Sequence, residues 1–170
     1  MSLMLLEHPW PAIFDAYSRV LILGSFPSPQ SRRAGYPYGH PQNIFWSVLA
    51  AALSVSPVDR SAGWTERAAW LNVQHIALWD VLASCEIDGA ADSSIRNPQP
   101  QLFRPLIQNS QIRIIFTTGR QATDLFQRLC AVEAGMEAHY LPSTSPANRA
   151  RQQLPEFKQS WAEVGIWARD

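Results

Sequence analysis

Two stretches, far apart in the chain, hold most of the residues that can do chemistry. The first runs from Gly24-Ser25-Phe26-Pro27-Ser28 to Tyr38-Gly39-His40-Pro41-Gln42-Asn43-Ile44-Phe45-Trp46, and the second is Leu141-Pro142-Ser143-Thr144-Ser145-Pro146-Ala147-Asn148-Arg149. Each follows an apolar, strand-like run. Loops of small polar, proline and aromatic residues at strand ends present backbone N–H groups, hydroxyls and ring faces to a ligand. The two stretches are therefore expected to wall one pocket. Asn43 brings a carboxamide that accepts from a water and donates to a polar edge. Being neutral, it positions rather than acts as a strong base. Standing directly before a helical pattern, it also fits an N-cap, worth ~1 kcal/mol. His40 has a ring that can donate to a ligand, and imidazole is a side-chain type suited to acid catalysis. Placed before Pro41 in a turn, it serves equally well as a structural hydrogen-bonder. Phe45 offers either a ring face to a planar ligand or a core aromatic.

The elements that must hold these residues alternate along the chain. Val20-Leu21-Ile22-Leu23, ending at Gly24, reads as a buried parallel strand. Helical patterns follow over about 44–53 and 64–72. A second strand is expected over Ile76-Ala77-Leu78-Trp79-Asp80-Val81-Leu82, passing into a polar, irregular stretch from 84 to 100. Within it, Asp92-Ser93-Ser94-Ile95 is expected to rim the cleft. A short helix over 102–108, a strand over Arg113-Ile114-Ile115-Phe116-Thr117, a helix to about Ala131, a short strand His139-Tyr140-Leu141 and a helix over about 154–165 complete the chain. Strands alternating with helices indicate βαβ units and a mostly parallel sheet covered on both faces. In such sheets ligands collect beyond the carboxyl ends of the strands, where both loops fall.

The 170 residues suit one domain, 1–170, and 46% hydrophobic composition with 7 Trp, 7 Phe and 4 Tyr supplies a packed core without staples. A formal net charge of zero argues against strong non-specific nucleic-acid binding. Of the 14 basic residues only Lys158 is a lysine. Arg32, Arg33, Arg149 and Arg151 lie in or beside the two loops, where arginine suits bidentate phosphate contacts and equally a solvated surface. Cys85 and Cys130, with no CxxC and no histidine at ligand spacing, argue against a disulfide scaffold, a zinc site or an iron–sulfur cluster. Met1 to Leu6 is too short for a signal-peptide core, and no run approaches the ~20 apolar residues of a membrane span. A cytoplasmic protein acting at the nucleoid, with no membrane partner, is expected.

Five blocks in order resemble one family: Gly24 to Ser28; Tyr38 to Asn43 with Phe45-Trp46; Ala77-Leu78-Trp79-Asp80-Val81-Leu82; Asp92 to Ile95; and Leu141 to Asn148. The chain resembles the uracil-DNA glycosylase superfamily in its hypoxanthine-DNA (deoxyinosine) glycosylase branch, over nearly its whole length. The resemblance implies a three-layer αβα sandwich with a central four-stranded parallel sheet. It implies flipping of a base from DNA and hydrolysis of its N-glycosidic bond, with no metal or diffusible cofactor. In that branch the first motif lacks the Asp or Asn that activates water elsewhere, and Ser25 and Phe26 stand there in this chain. The branch's catalytic Asn maps to Asn43. The uracil-specific second motif begins with His, and Leu141 takes its place. Pro37 between Tyr36 and Tyr38 departs from the branch's usual adjacent aromatics.

On that resemblance the backbone N–H groups of Gly24, Ser25 and Phe26 are expected to hold the base, with His40 beside them. Phe45 is expected to stack on it, a contact worth roughly 1–3 kcal/mol. Ser143, Thr144 and Ser145 suit phosphates next to the target, Pro146, Ala147 and Asn148 a wedge filling the vacated stack, and Arg149 the backbone or opposite base. An ordinary Pro-Ser turn is the plainer reading of that segment. Asp80 ends a strand near the cleft, its role open. With no lysine in either motif, a Schiff-base lyase step is not expected. The expected function is a monofunctional, monomeric glycosylase acting on DNA that contains a deaminated base, hypoxanthine first. The competing readings are a mismatch-type uracil-DNA glycosylase and a damage-binding module without turnover. A serine hydrolase is poorly supported, because Gly24 to Ser28 lacks G-x-S-x-G spacing.

Overall fold

The computed structural model describes residues 3–88 and 95–169. Its centre is a parallel sheet of β2 (Val20–Gly24), β3 (Ile76–Asp80), β6 (Ile114–Thr118) and β7 (Ala138–Leu141), in the order β3-β2-β6-β7. All of β2 is buried, as a central strand covered on both faces must be. Alternation along the strands sends side chains to two layers. Val20, Ile22, Ile76, Leu78, Ile114 and Phe116 pack against α2 (Phe45–Leu53), α3 (Trp64–Val73) and α7 (Pro155–Arg169). Leu21, Leu23, Ala77 and Ile115 pack against α4 (Arg104–Gln108), α5 (Arg120–Leu129) and α6 (Ala131–Ala134). The result is the expected three-layer α/β sandwich. Gly165 lets α7 lie directly on α2, since a Cβ there would collide with the carbonyl oxygen of Ala52.

A second, antiparallel sheet was not legible in the sequence. Its strands β1 (Met4–Glu7), β4 (Leu82–Ile87) and β5 (Ile95–Pro100) lie in the order β1-β4-β5. The strand expected over 76–82 breaks after Asp80: Val81 donates to Gly24 O at 2.8 Å and Leu82 opens β4. The polar stretch expected to be irregular thus carries β4 and β5. Pro98 and Pro100 are tolerated because β5 is an edge strand, where a missing N–H breaks no ladder. Residues 92–94, expected to rim the cleft, lie outside the described residues. One further helix, α1 (Pro29–Ala34), sits in the first loop, capped by Ser28 and stopped by Gly35 at φ 86°.

From β2 the chain crosses to β3 on one side and later returns to β6 on the other. That reversal opens a crevice beyond the carboxyl ends of the strands.

Candidate active site

A cavity of about 530 Å³ occupies that crevice, with Gly24, Asp80 and Thr118 from the ends of β2, β3 and β6 in its wall and Ser143 to Ala147 following β7. The two stretches singled out in the sequence do meet. Ile44 N–H donates to Thr144 O at 3.2 Å, and both loops line the one cavity.

The first loop is held by its own polar groups. Ser31 Oγ accepts from Gly39 N–H at 3.1 Å, Arg32 donates to Pro27 O at 2.7 Å, and Trp46 Nε1 donates to Pro37 O at 3.0 Å. Arg67, only 3% exposed, lies 3.9 Å from the Tyr36 ring centre and 4.8 Å from that of Trp46. It donates to Ala62 O and Arg60 O, so a guanidinium with no carboxylate in ion-pair contact among the described residues is satisfied by backbone and ring faces. These ties fix Tyr38 in the left-handed region at φ 56°, a conformation a non-glycine residue keeps only when its surroundings insist. The Tyr38 hydroxyl sits 2.9 Å from Thr118 Oγ1, which itself lies 3.3 Å from Leu23 O. With Thr118 donating to that carbonyl, Tyr38 donates to Thr118. Burial, then the charge of Asp80, push the phenol far above its ordinary range against the opposing Thr118 bond, so it remains a neutral donor.

Phe45 is a correction to the expected base-binding set. It is 0% exposed and does not line the cavity. Its ring lies parallel to Tyr38, with centres 3.9 Å apart and planes at 7°, and it meets the rings of Trp46 and Trp161 edge-on. At the start of an apolar-faced helix, this side chain belongs to the core side of α2. Tyr38, which the sequence reading passed over, supplies the aromatic wall with Phe45 as its backing.

Asn43 lines the cavity as expected. Its Oδ1 accepts from Phe45 N–H at 3.0 Å, and its own N–H donates to His40 O at 2.9 Å. The amide therefore closes a turn onto the first helical N–H; the N-cap itself is Ile44, which has no side-chain cap, and not Asn43 as the sequence suggested. The bond also fixes which end of the amide is oxygen: Oδ1 is held by the helix, and Nδ2 donates to no described residue. His40 also lines the cavity, and its Nδ1 accepts from Gln42 N–H at 3.0 Å. In the neutral ring this places the proton on Nε2, the outward donor. Gly24, Ser25 and Phe26 all line the cavity, and the Phe26 N–H has no acceptor among the described residues.

The second loop is equally ordered. Ser143 Oγ accepts from Ser145 N–H, Ser145 Oγ caps the short 3-10 turn 146–148, and Gln152 donates to Ser143 O and Ser145 O. Trp161 holds Pro142 O from α7. Of the predicted residues, Ser143, Thr144, Ser145, Pro146 and Ala147 line the cavity. Asn148 and Arg149 do not: the Asn148 amide closes the loop onto Ser143 O at 3.0 Å, and Arg149 points to solvent.

Asp80, whose role the sequence left open, is 7% exposed at the end of β3, in register with Gly24. A Cβ on Gly24 would stand 2.5 Å from Asp80 Oδ1 and 3.0 Å from the Tyr38 hydroxyl. Only glycine lets these groups close on the cavity floor. Asp80 Oδ2 pairs with His8 Nε2 at 2.7 Å. Nothing in the sequence pointed to His8, 72 positions away.

A sequence model described as the uracil DNA glycosylase superfamily matches residues 11–169. The chain is 32% identical over 146 residues to a hypoxanthine DNA glycosylase of Methanosarcina acetivorans, covering 85% of this chain and 90% of that one. It is 30% identical over 156 residues to a hypoxanthine DNA glycosylase of Methanosarcina barkeri, covering 91% and 95%. A solution NMR structure from Methanosarcina acetivorans, described as a candidate uracil DNA glycosylase, superposes with a TM-score of 0.80 at 28% identity, covering 98% of this chain and all of the other. No helix among the described residues is long and apolar enough to cross a membrane.

Proposed function

This chain belongs to the uracil DNA glycosylase superfamily, and from that premise we propose that it is a monofunctional DNA glycosylase releasing deaminated bases, hypoxanthine first. The observation that carries the reading is the cavity floor. A rigid aromatic face, Tyr38 backed by Phe45, stands beside an amide whose oxygen is tied and whose nitrogen is unclaimed. A volume of about 530 Å³ suits a flipped nucleotide.

The target base leaves the duplex at a cost of a few kcal/mol, less when mispaired. It stacks on Tyr38, with the residues of the second loop against the neighbouring phosphates. Breaking the C1′–N bond leaves positive charge on the sugar and negative charge on the base. Donors aimed at the base stabilise it as charge develops: Asn43 Nδ2, the Phe26 N–H and His40 Nε2. Asn43 Oδ1 keeps one lone pair beyond its bond to Phe45 and orients the attacking water. That water gives its hydroxyl to C1′ and its proton to the departing base. An abasic site and a neutral free base result. The hydrogen-bonded order of both loops means little reorganisation is needed at the moment of reaction.

The testing experiment is single-turnover cleavage of duplexes carrying one hypoxanthine, one uracil or one adenine, with the free base measured chromatographically. Release of hypoxanthine ahead of uracil, with adenine untouched, is expected. Faster uracil release transfers the assignment to uracil. Tight lesion binding with no released base contradicts catalysis altogether.

A further inference from the structure

Asp80 and His8 form a pair that the reaction as written above does not use. His8 follows β1 and sits at 6% side-chain exposure among the rings of Trp10, Phe26 and Trp79. Its Nε2 lies 2.7 Å from Asp80 Oδ2, and its Nδ1 lies 2.8 Å from Trp10 O and 3.2 Å from Trp10 N. The imidazole is thus pinned at both ends and cannot swing. Asp80 Oδ2 is held by the ring, whereas Oδ1 accepts from no described residue and lies against Gly24 in the cavity wall. A carboxylate is acceptor-only, and an unclaimed acceptor turned to a ligand site is open to a ligand's donor.

We propose that His8 is a positioning residue that orients Asp80 so that its Oδ1 accepts the ring N–H of a lactam base. This inference rests on the glycosylase reading above. Deamination turns an amino group and a bare ring nitrogen into a carbonyl and a ring N–H. The ring position changes from acceptor to donor. Hypoxanthine presents N1–H to Asp80 Oδ1, whereas adenine presents a lone pair there. Facing a fixed carboxylate, that lone pair is repelled and leaves a buried acceptor unmet. His8 enforces the distinction by preventing the carboxylate from rotating away.

The experiment compares wild type, His8→Leu, His8→Gln and Asp80→Ala. The readouts are single-turnover release of hypoxanthine and affinity for a duplex bearing a tetrahydrofuran abasic site, which offers no base to read. Asp80→Ala and His8→Leu are expected to slow release by roughly 10- to 100-fold, the scale of one charge-assisted hydrogen bond. Abasic-duplex affinity is expected to stay within about twofold. His8→Gln, whose amide nitrogen reaches the same point as Nε2, is expected to restore most of the rate. Asp80→Ala releasing hypoxanthine within about threefold of wild type overturns the inference even where His8→Leu fails to fold. Parallel loss of abasic-duplex affinity in the folded variants assigns the pair a purely structural role and overturns it too. Failure of wild type itself to release hypoxanthine removes the glycosylase reading, and this inference with it.

Discussion

Asn43 is asked to do two things at once, and two substitutions separate them. Its Oδ1 accepts from Phe45 N–H at 3.0 Å, while Nδ2 is the end assigned to the departing base. Asn43→Ala removes both. Loss of the hydrogen bond to Phe45 N–H costs ~1 kcal/mol of stability, and loss of a donor aimed at developing charge slows the chemical step by roughly 10²- to 10³-fold, or about 2.7–4 kcal/mol. Asn43→Asp keeps an oxygen for Phe45 N–H and puts negative charge at the start of α2, which favours the helix by about 0.3–1 kcal/mol. The same carboxylate replaces the donor that meets an accepting edge of the base with a charged acceptor, so the rate falls at least as far as in Asn43→Ala. Stability and activity therefore move in opposite directions in the aspartate variant. Thermal unfolding and single-turnover release of hypoxanthine, measured on the same preparations, read the two effects. A folded Asn43→Asp enzyme that cleaves within about threefold of wild type would refute the assignment of Nδ2 to the leaving group.

Tyr38→Leu removes the ring face while keeping apolar bulk over Phe45. Affinity for a duplex carrying an uncleavable deoxyinosine analogue should fall by about 1–3 kcal/mol in a fluorescence-anisotropy titration, and an unchanged affinity would transfer the stacking role elsewhere. Gly165→Ala drives a methyl into Ala52 O where α7 lies on α2, so chemical denaturation should show a loss of roughly 1–3 kcal/mol with cleavage of the folded fraction intact. Burial, with Glu133 nearby, pushes the Cys130 thiol up to about 12. Its folded value exceeds the ordinary one, so the associated stability is present below about pH 9 and is lost as pH rises through about 12. Iodoacetamide at pH 8 should therefore label Cys130 in denaturant and not in the native protein, and mass spectrometry reads the difference.

The layers were legible because both signals behind them are local. The unbroken apolar run of β2 requires cover on two faces, and the apolar pattern of α2 requires one. The pocket was legible for the same reason: polar, proline-rich turns at strand ends have few other uses. What escaped were features decided by tertiary neighbours. The prolines of β5 hid an edge strand, because only its place at the sheet edge makes them harmless. Phe45 was expected at the cavity and Tyr38 was not singled out, since which ring faces the core depends on where α2 begins and on a left-handed Tyr38 that no propensity suggests. Ser28-Pro29 and Gly35 do mark the ends of α1 in the sequence, but only six helical residues lie between. His8 was invisible, because its partner is brought to it only by pairing of β1 with β4, which follows directly from the turn after Asp80.

The most direct measurement is a crystal structure of the enzyme bound to a duplex containing 2′-fluoro-2′-deoxyinosine, whose glycosidic bond resists cleavage. Hypoxanthine is predicted to lie parallel to the Tyr38 ring inside the cavity, with Asn43 Nδ2 and Asp80 Oδ1 within hydrogen-bond distance of its edge. A base that stays in the helical stack, or one seated elsewhere on the protein, would contradict the account.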